Sequence, residues 1–174
     1  MLFEHQKGKV WLPVHCKPRC EKKAKEYCDH FKITAYLPLL KSVKKYESKT
    51  AIHTKPLLPS YLFIQADEEQ KKQLYNSQKI VHITSINEFE EEGLIRDLQS
   101  LSDFLDAMND NDSELIVSPE ISEGTIVTIT EGAFRGVEAV VNQREGKCKV
   151  FVNINMISFS VSAEVDISTL KLSI

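Results

Sequence analysis

Several things are missing from this sequence, and each absence removes a class of function. No uninterrupted apolar run approaches the roughly 20 residues that a bilayer-spanning helix needs, so no membrane role is expected. The start, Met1 to Lys9, lacks the apolar core of a secretory signal, which makes the cytoplasm the expected location. The four cysteines contain no C-x-x-C pair: Cys16, Cys20 and Cys28 cluster with His15 and His30, while Cys148 is far away. That pattern fits scattered thiols in a reducing compartment better than a zinc site, so neither metal nor cofactor is expected. There is no P-loop, no G-x-S-x-G and no H-E-x-x-H. With no catalytic constellation, the chain reads as a binding protein and not an enzyme.

What is present is a 174-residue chain, 42% apolar, enough for one medium domain or two small ones. Its net charge of −3 conceals an asymmetry. Lys plus Arg against Asp plus Glu runs 16 to 8 over residues 1–79, 1 to 12 over residues 80–123, and 5 to 5 over residues 124–174. A basic front attracts phosphates, an acidic middle repels them, and a neutral tail argues against non-specific RNA binding.

Hydrophobic periodicity divides the chain. Val10 to Cys16 is apolar and reads as a short strand beginning at Trp11, and from Arg19 to Phe31 the apolar residues Ala24, Tyr27, Cys28 and Phe31 recur at helical spacing opposite Lys22, Lys23, Lys25 and Glu26. Ala35 to Leu40 and Leu57 to Ile64 read as strands of a hairpin joined by a long basic connection, Lys41 to Lys55. Pro56 and Pro59 belong at a strand's start or edge because they cannot donate ladder hydrogen bonds. A short helix over Glu68 to Ser77 and a strand over Ile80 to Ile86 follow. Asn87 and Glu90 form a capping-box pattern ahead of a helix from about Glu91 to Met108. The polar run Asn109 to Glu114 reads as linker. Beyond Glu123, four β-branched segments punctuated by Gly132, Gly136 and Gly146 predict a small five-stranded barrel.

These residues resemble a known family. The order Trp11, then Glu21-Lys22-Lys23-Ala24, then Tyr36-Leu37-Pro38, then Pro56-Leu57-Leu58-Pro59-Ser60-Tyr61-Leu62-Phe63 is similar to the N-terminal domain of NusG transcription elongation factors. Glu131-Gly132-Ala133-Phe134-Arg135-Gly136 and Val150-Phe151-Val152-Asn153-Ile154 resemble their KOW domain. Ala133 and Ala139, with His15-Cys16-Lys17, look closer to specialised RfaH-like paralogues than to general NusG. Ser60 stands where the family usually has glycine, and Lys71-Lys72-Gln73 does not match the RfaH element that touches the polymerase gate loop.

The resemblance implies an α+β fold: an NGN-like α/β sandwich over residues 1–108, with an antiparallel sheet and flanking helices, an acidic linker over 109–120, and an SH3-like KOW β-barrel over 121–174. It implies a monomeric transcription elongation and antitermination factor that binds the RNA polymerase clamp and suppresses pausing and termination. A general NusG-type elongation or termination factor is the alternative, and a ribosome-associated KOW protein the alternative of another class.

Tyr61 and Phe63, two apart on a strand and so on one face, are expected to form the polymerase-docking surface, with Pro59 shaping its edge and Trp11 supporting it. Replacing both with alanine is expected to abolish docking by a domain that stays folded. Lys17, Arg19, Lys22 and Lys23 are the expected contacts to non-template DNA in the transcription bubble. Phe134, Ile154, Met156 and Ile157 are the expected KOW contacts to a protein partner, ribosomal protein S10 or the termination factor Rho.

Overall fold

The computed structural model describes residues 3–46, 49–109, 115–119, 125–131, 138–141, 147–166 and 171–173. The chain divides into two compact units, His5–Glu91 and Met1–Glu4 with Glu92–Ile174.

The first unit is built on a four-stranded antiparallel sheet. Its strands are β1 (Val10–Cys16), β2 (Thr34–Tyr36), β5 (Tyr61–Ala66) and β6 (Ile80–Ile83), in the order β2-β5-β1-β6. Period-2 alternation sends Leu12, Val14, Cys16, Leu62, Ile64 and Ala66 to one face, the inner face, where they form a core with Ala24, Cys28, Ile33, Leu74, Ile80 and Ile83. Ala24 and Cys28 come from α1 (Glu21–His30), and Leu74 from α2 (Glu68–Asn76).

Both helices stop and start for local reasons. The C-terminus of α1 is a Schellman turn: Lys32 takes φ +55°, the Ile33 N–H donates to the Cys28 carbonyl at 2.8 Å and the Lys32 N–H to that of Asp29 at 3.2 Å. Asp67 and Gln70 close a reciprocal capping box at the start of α2.

The expected antiparallel pairing of the Ala35 and Ile64 segments is present, with Ala35 opposite Ile64 in the main sheet. The connection between them is corrected: the lysine-rich stretch is itself a hairpin, β3 (Leu39–Tyr46) against β4 (Lys49–Pro56), in register from Leu39↔Pro56 to Tyr46↔Lys49. Lysine count alone concealed it: Val43, Tyr46, Ile52 and the threonines give the segment enough β character to pair with itself. Among the described residues its sheet is separate and has two strands.

The helix α3 (Glu88–Asn109) begins on the expected capping box, with the Glu90 N–H donating to Asn87 Oδ1 at 3.0 Å and the Asn87 N–H to Glu90 Oε2 at 2.8 Å. In the second unit its stripe Leu94, Leu98, Leu101, Phe104 and Met108 is buried. Two three-stranded antiparallel sheets follow among the described residues. One runs β10-β11-β7, from Lys147–Ile154, Phe159–Asp166 and Leu115–Pro119. The other runs β12-β8-β9, from Lys171–Ser173, Thr125–Glu131 and Glu138–Val141. The strand β7 lies within the stretch read as linker, and neither β7 nor β12 is among the segments read from sequence.

Candidate functional site

The outer face of the main sheet holds the residues singled out for docking, and strand register fixes their arrangement. Pro13, Phe63 and Tyr36 form one row across β1, β5 and β2. His82, His15 and Tyr61 form the next across β6, β1 and β5, and Trp11 stands opposite Gln65. The rings interact along this face: His15 and Tyr61 centroids are 5.4 Å apart, Tyr36 and Phe63 6.5 Å.

Burial differs among these residues. Phe63 is 0% exposed, Trp11 1% and Gln65 2%. Tyr61, His15 and Tyr36 are half-buried, and His82 and Pro59 are exposed. Phe63 therefore lies beneath the accessible surface in this structure, and only Tyr61 of the expected pair reaches solvent. In its row Phe63 is flanked by Pro13 on one side and Tyr36 on the other.

Two carboxylates hold the edges of this face. Strand β6 runs alongside only Val14 to Cys16, so the β1 backbone beyond it needs other partners. The Thr84 N–H donates to the Pro13 carbonyl at 3.0 Å, and the Trp11 N–H donates to Glu91 Oε1 at 2.8 Å. Glu91 is buried, and His5 Nδ1 lies 3.3 Å from its other oxygen. At the opposite end, buried Glu21 accepts the Ser60 N–H at 2.8 Å while the Ser60 carbonyl accepts the Cys16 N–H at 2.7 Å. These bonds hold Ser60 at φ +65°, a left-handed backbone where glycine is usual.

The expected phosphate contacts sit on the turn into α1 and its first turns. The Cys20 N–H donates to the Lys17 carbonyl at 3.0 Å with Pro18 and Arg19 between them, and Arg19 has φ +61°. Proline followed by a positive φ is the signature of a type II turn. Lys17, Arg19, Lys22 and Lys23 are all exposed. The Lys17 N–H also donates to the Lys79 carbonyl at 2.8 Å, which brings in a lysine that sequence spacing gave no reason to choose. Lys22 is turned elsewhere: its ammonium donates to the Thr54 carbonyl at 2.5 Å and hydroxyl at 3.0 Å.

In the second unit, Ile154 is 0% exposed, whereas Met156 and Ile157 are half-buried on a short 3-10 turn, Asn155–Ile157. Phe134 lies outside the described residues. The thiols contribute packing: burial pushes both Cys16 and Cys28 up to about 12, with the Glu21 charge adding to the effect at Cys16. Among the described residues no group of three or more His, Cys, Asp or Glu side chains converges as a metal site, and no helix is long and apolar enough to cross a membrane.

Residues 9–120 match the family described as transcription termination factor nusG. The chain belongs to the NusG family. Two solved structures are similar to it at 14% identity, each over 94% of this chain and 96% of the other: "Domain interaction in Thermotoga maritima NusG", with a TM-score of 0.46, and the MjSpt4:Spt5 complex in its conformation B, with 0.31. NusG proteins are transcription elongation and termination factors, a family of regulators and not of enzymes.

Proposed function

We propose that this NusG-family protein binds RNA polymerase at its clamp through the outer face of the main sheet and acts as an RfaH-like antitermination factor that suppresses pausing and termination. One observation carries the reading: on one face of the sheet the half-buried rings Tyr61, His15 and Tyr36 lie in rows beside fully buried Phe63 and Trp11. Aromatic anchors on a rigid base are what a desolvated protein interface needs. Lys17, Arg19 and Lys23, with Lys79 beside them, supply positive charge for the non-template strand. If about three phosphates are neutralised, log affinity falls against log salt with a slope of roughly −2 to −3.

The rear strands form a KOW-type SH3-like barrel that recruits a further protein, ribosomal protein S10 or Rho. The antiparallel pairing of β8 with β9, and the packing of β9 against β10, support closure of the two sheets. Met156 and Ile157 present apolar surface to that partner, with Ile154 packed as core.

Capture of polymerase by the full chain, followed by a run-through assay on a terminator template, tests this reading. Wild-type protein is expected to bind and to raise run-through, and Tyr61→Ala to weaken binding at least tenfold. Undiminished binding by Tyr61→Ala removes the outer face from the interface. Increased termination on addition of Rho points instead to a general NusG role.

A further inference from the structure

We infer that Lys22 is a positioning residue that braces the β3–β4 arm against α1, and that it does not contact phosphate. The arm is a two-stranded sheet separate from the four-stranded one, and isolated two-stranded hairpins are marginal in water. At its base the Leu57 N–H donates to the Pro38 carbonyl at 2.8 Å. That backbone bond closes the loop at the base of the arm.

Lys22 supplies a second point of attachment. Its ammonium donates to both oxygens of Thr54, carbonyl and hydroxyl, across 32 residues of sequence. Thr54 stands opposite Lys41 in the ladder, so the contact holds both strands near the base of the arm. Neighbouring lysines behave differently: Lys25 pairs with Asp29 and Lys71 with Glu68, each within its own helix at 2.6 Å. An ammonium has three donors, and Lys22 commits two of them to one residue with neutral acceptors. A phosphate reaching Lys22 would have to displace both. Lys23, the next residue, is exposed on the same helix and carries no such contact to the arm among the bonds described.

The inference rests on the DNA-contact reading in one respect only, the contrast between Lys22 and Lys23. Amide hydrogen exchange on the full free chain tests the brace without any ligand. Lys22→Met keeps the aliphatic stem and is expected to speed exchange of β3–β4 amides at least tenfold while β1 and β5 amides keep their protection. Thr54→Val should do the same more weakly, and Lys22→Arg should restore protection. The second arm measures binding of a single-stranded oligodeoxynucleotide against salt. Each lost phosphate contact on a single strand lowers the slope by about 0.7, so Lys23→Met is expected to reduce it and Lys22→Met to leave it unchanged. Unchanged arm exchange in Lys22→Met overturns the inference, and so does a slope reduced as far as in Lys23→Met. If the wild-type chain binds no oligonucleotide, the DNA reading fails on its own and the exchange experiment alone decides the brace.

Discussion

The two faces of the main sheet are made by the same strands and differ in almost every other respect. The inner face is aliphatic and thiol: Leu12, Val14, Cys16, Leu62, Ile64 and Ala66, closed by α1 and α2. The outer face alternates with it residue for residue and carries Trp11, Pro13, His15, Tyr61, Phe63 and Gln65. Rings with polar tips and an amide are poor filling for a core, since each polar atom needs a partner when buried. Trp11, Phe63 and Gln65 are nonetheless buried, and half-buried His15 and Tyr61 are the part of this face that the proposed docking would use. Leu62 and Phe63, adjacent in sequence, therefore answer to different demands, and the contrast can be tested residue by residue.

The largest effects separate support from contact. Leu62→Ala should cost about 2–5 kcal/mol and Phe63→Ala about 3–5 kcal/mol of stability, because both side chains are fully buried. Tyr61→Ala, half-buried in the neighbouring row of the outer face, should cost about 1 kcal/mol or less, with its loss appearing in polymerase binding. Urea denaturation of the three variants reads this directly. Should Phe63→Ala retain wild-type stability, the outer face is not a packed support, and the expectation that Phe63 itself makes the contact returns.

A smaller effect lies where the faces meet, at the turn before Tyr61. Ser60 is held at φ +65° by bonds from its N–H to Glu21 and from Cys16 to its carbonyl. A non-glycine residue in this region costs about 1–2 kcal/mol, part of which glycine forfeits to its own backbone entropy. Ser60→Gly should raise stability by about 1 kcal/mol, and Glu21→Ala, which strips the N–H of its acceptor, should lower it by about 1–3 kcal/mol. If Ser60→Gly destabilises, the hydroxyl has a role that the backbone geometry does not express.

How far the sequence revealed this site depended on whether the signal was local. Period-2 alternation placed Tyr61 and Phe63 on one face, and helical spacing found α1 through Ala24, Tyr27 and Cys28; both are written within a few residues. The Asn87 and Glu90 capping box was legible for the same reason. What alternation cannot report is which of two residues on one face is covered, because that depends on parts of the fold distant in sequence. The approach of Lys79 to Lys17, the Lys22 contact with Thr54 and the carboxylate of Glu91 under the Trp11 N–H are likewise products of folding, with no trace in spacing. The β3–β4 hairpin was missed through composition: five lysines, Lys41, Lys44, Lys45, Lys49 and Lys55, read as a solvated loop although the segment pairs along its whole length.

The smallest effect probes how strongly the inner face rejects charge. An unfolded thiol loses its proton near the ordinary value of 9.0, whereas burial in the folded chain holds Cys16 and Cys28 protonated up to about 12. Between these values the unfolded chain binds fewer protons than the folded one, so stability falls as pH rises. Below pH 9 the contribution of both thiols is intact. Denaturation midpoints should therefore drop from pH 7.5 to pH 10, and part of that drop should disappear in a Cys16→Ala, Cys28→Ala double variant, which isolates the thiols from lysine and tyrosine titration. Iodoacetamide should label half-buried Cys20 well before either of them. Equal labelling of Cys16 and Cys20 in the native protein would mean that the inner face opens often enough to admit solvent, and the distinction between a sealed face and the proposed docking face would lose its basis.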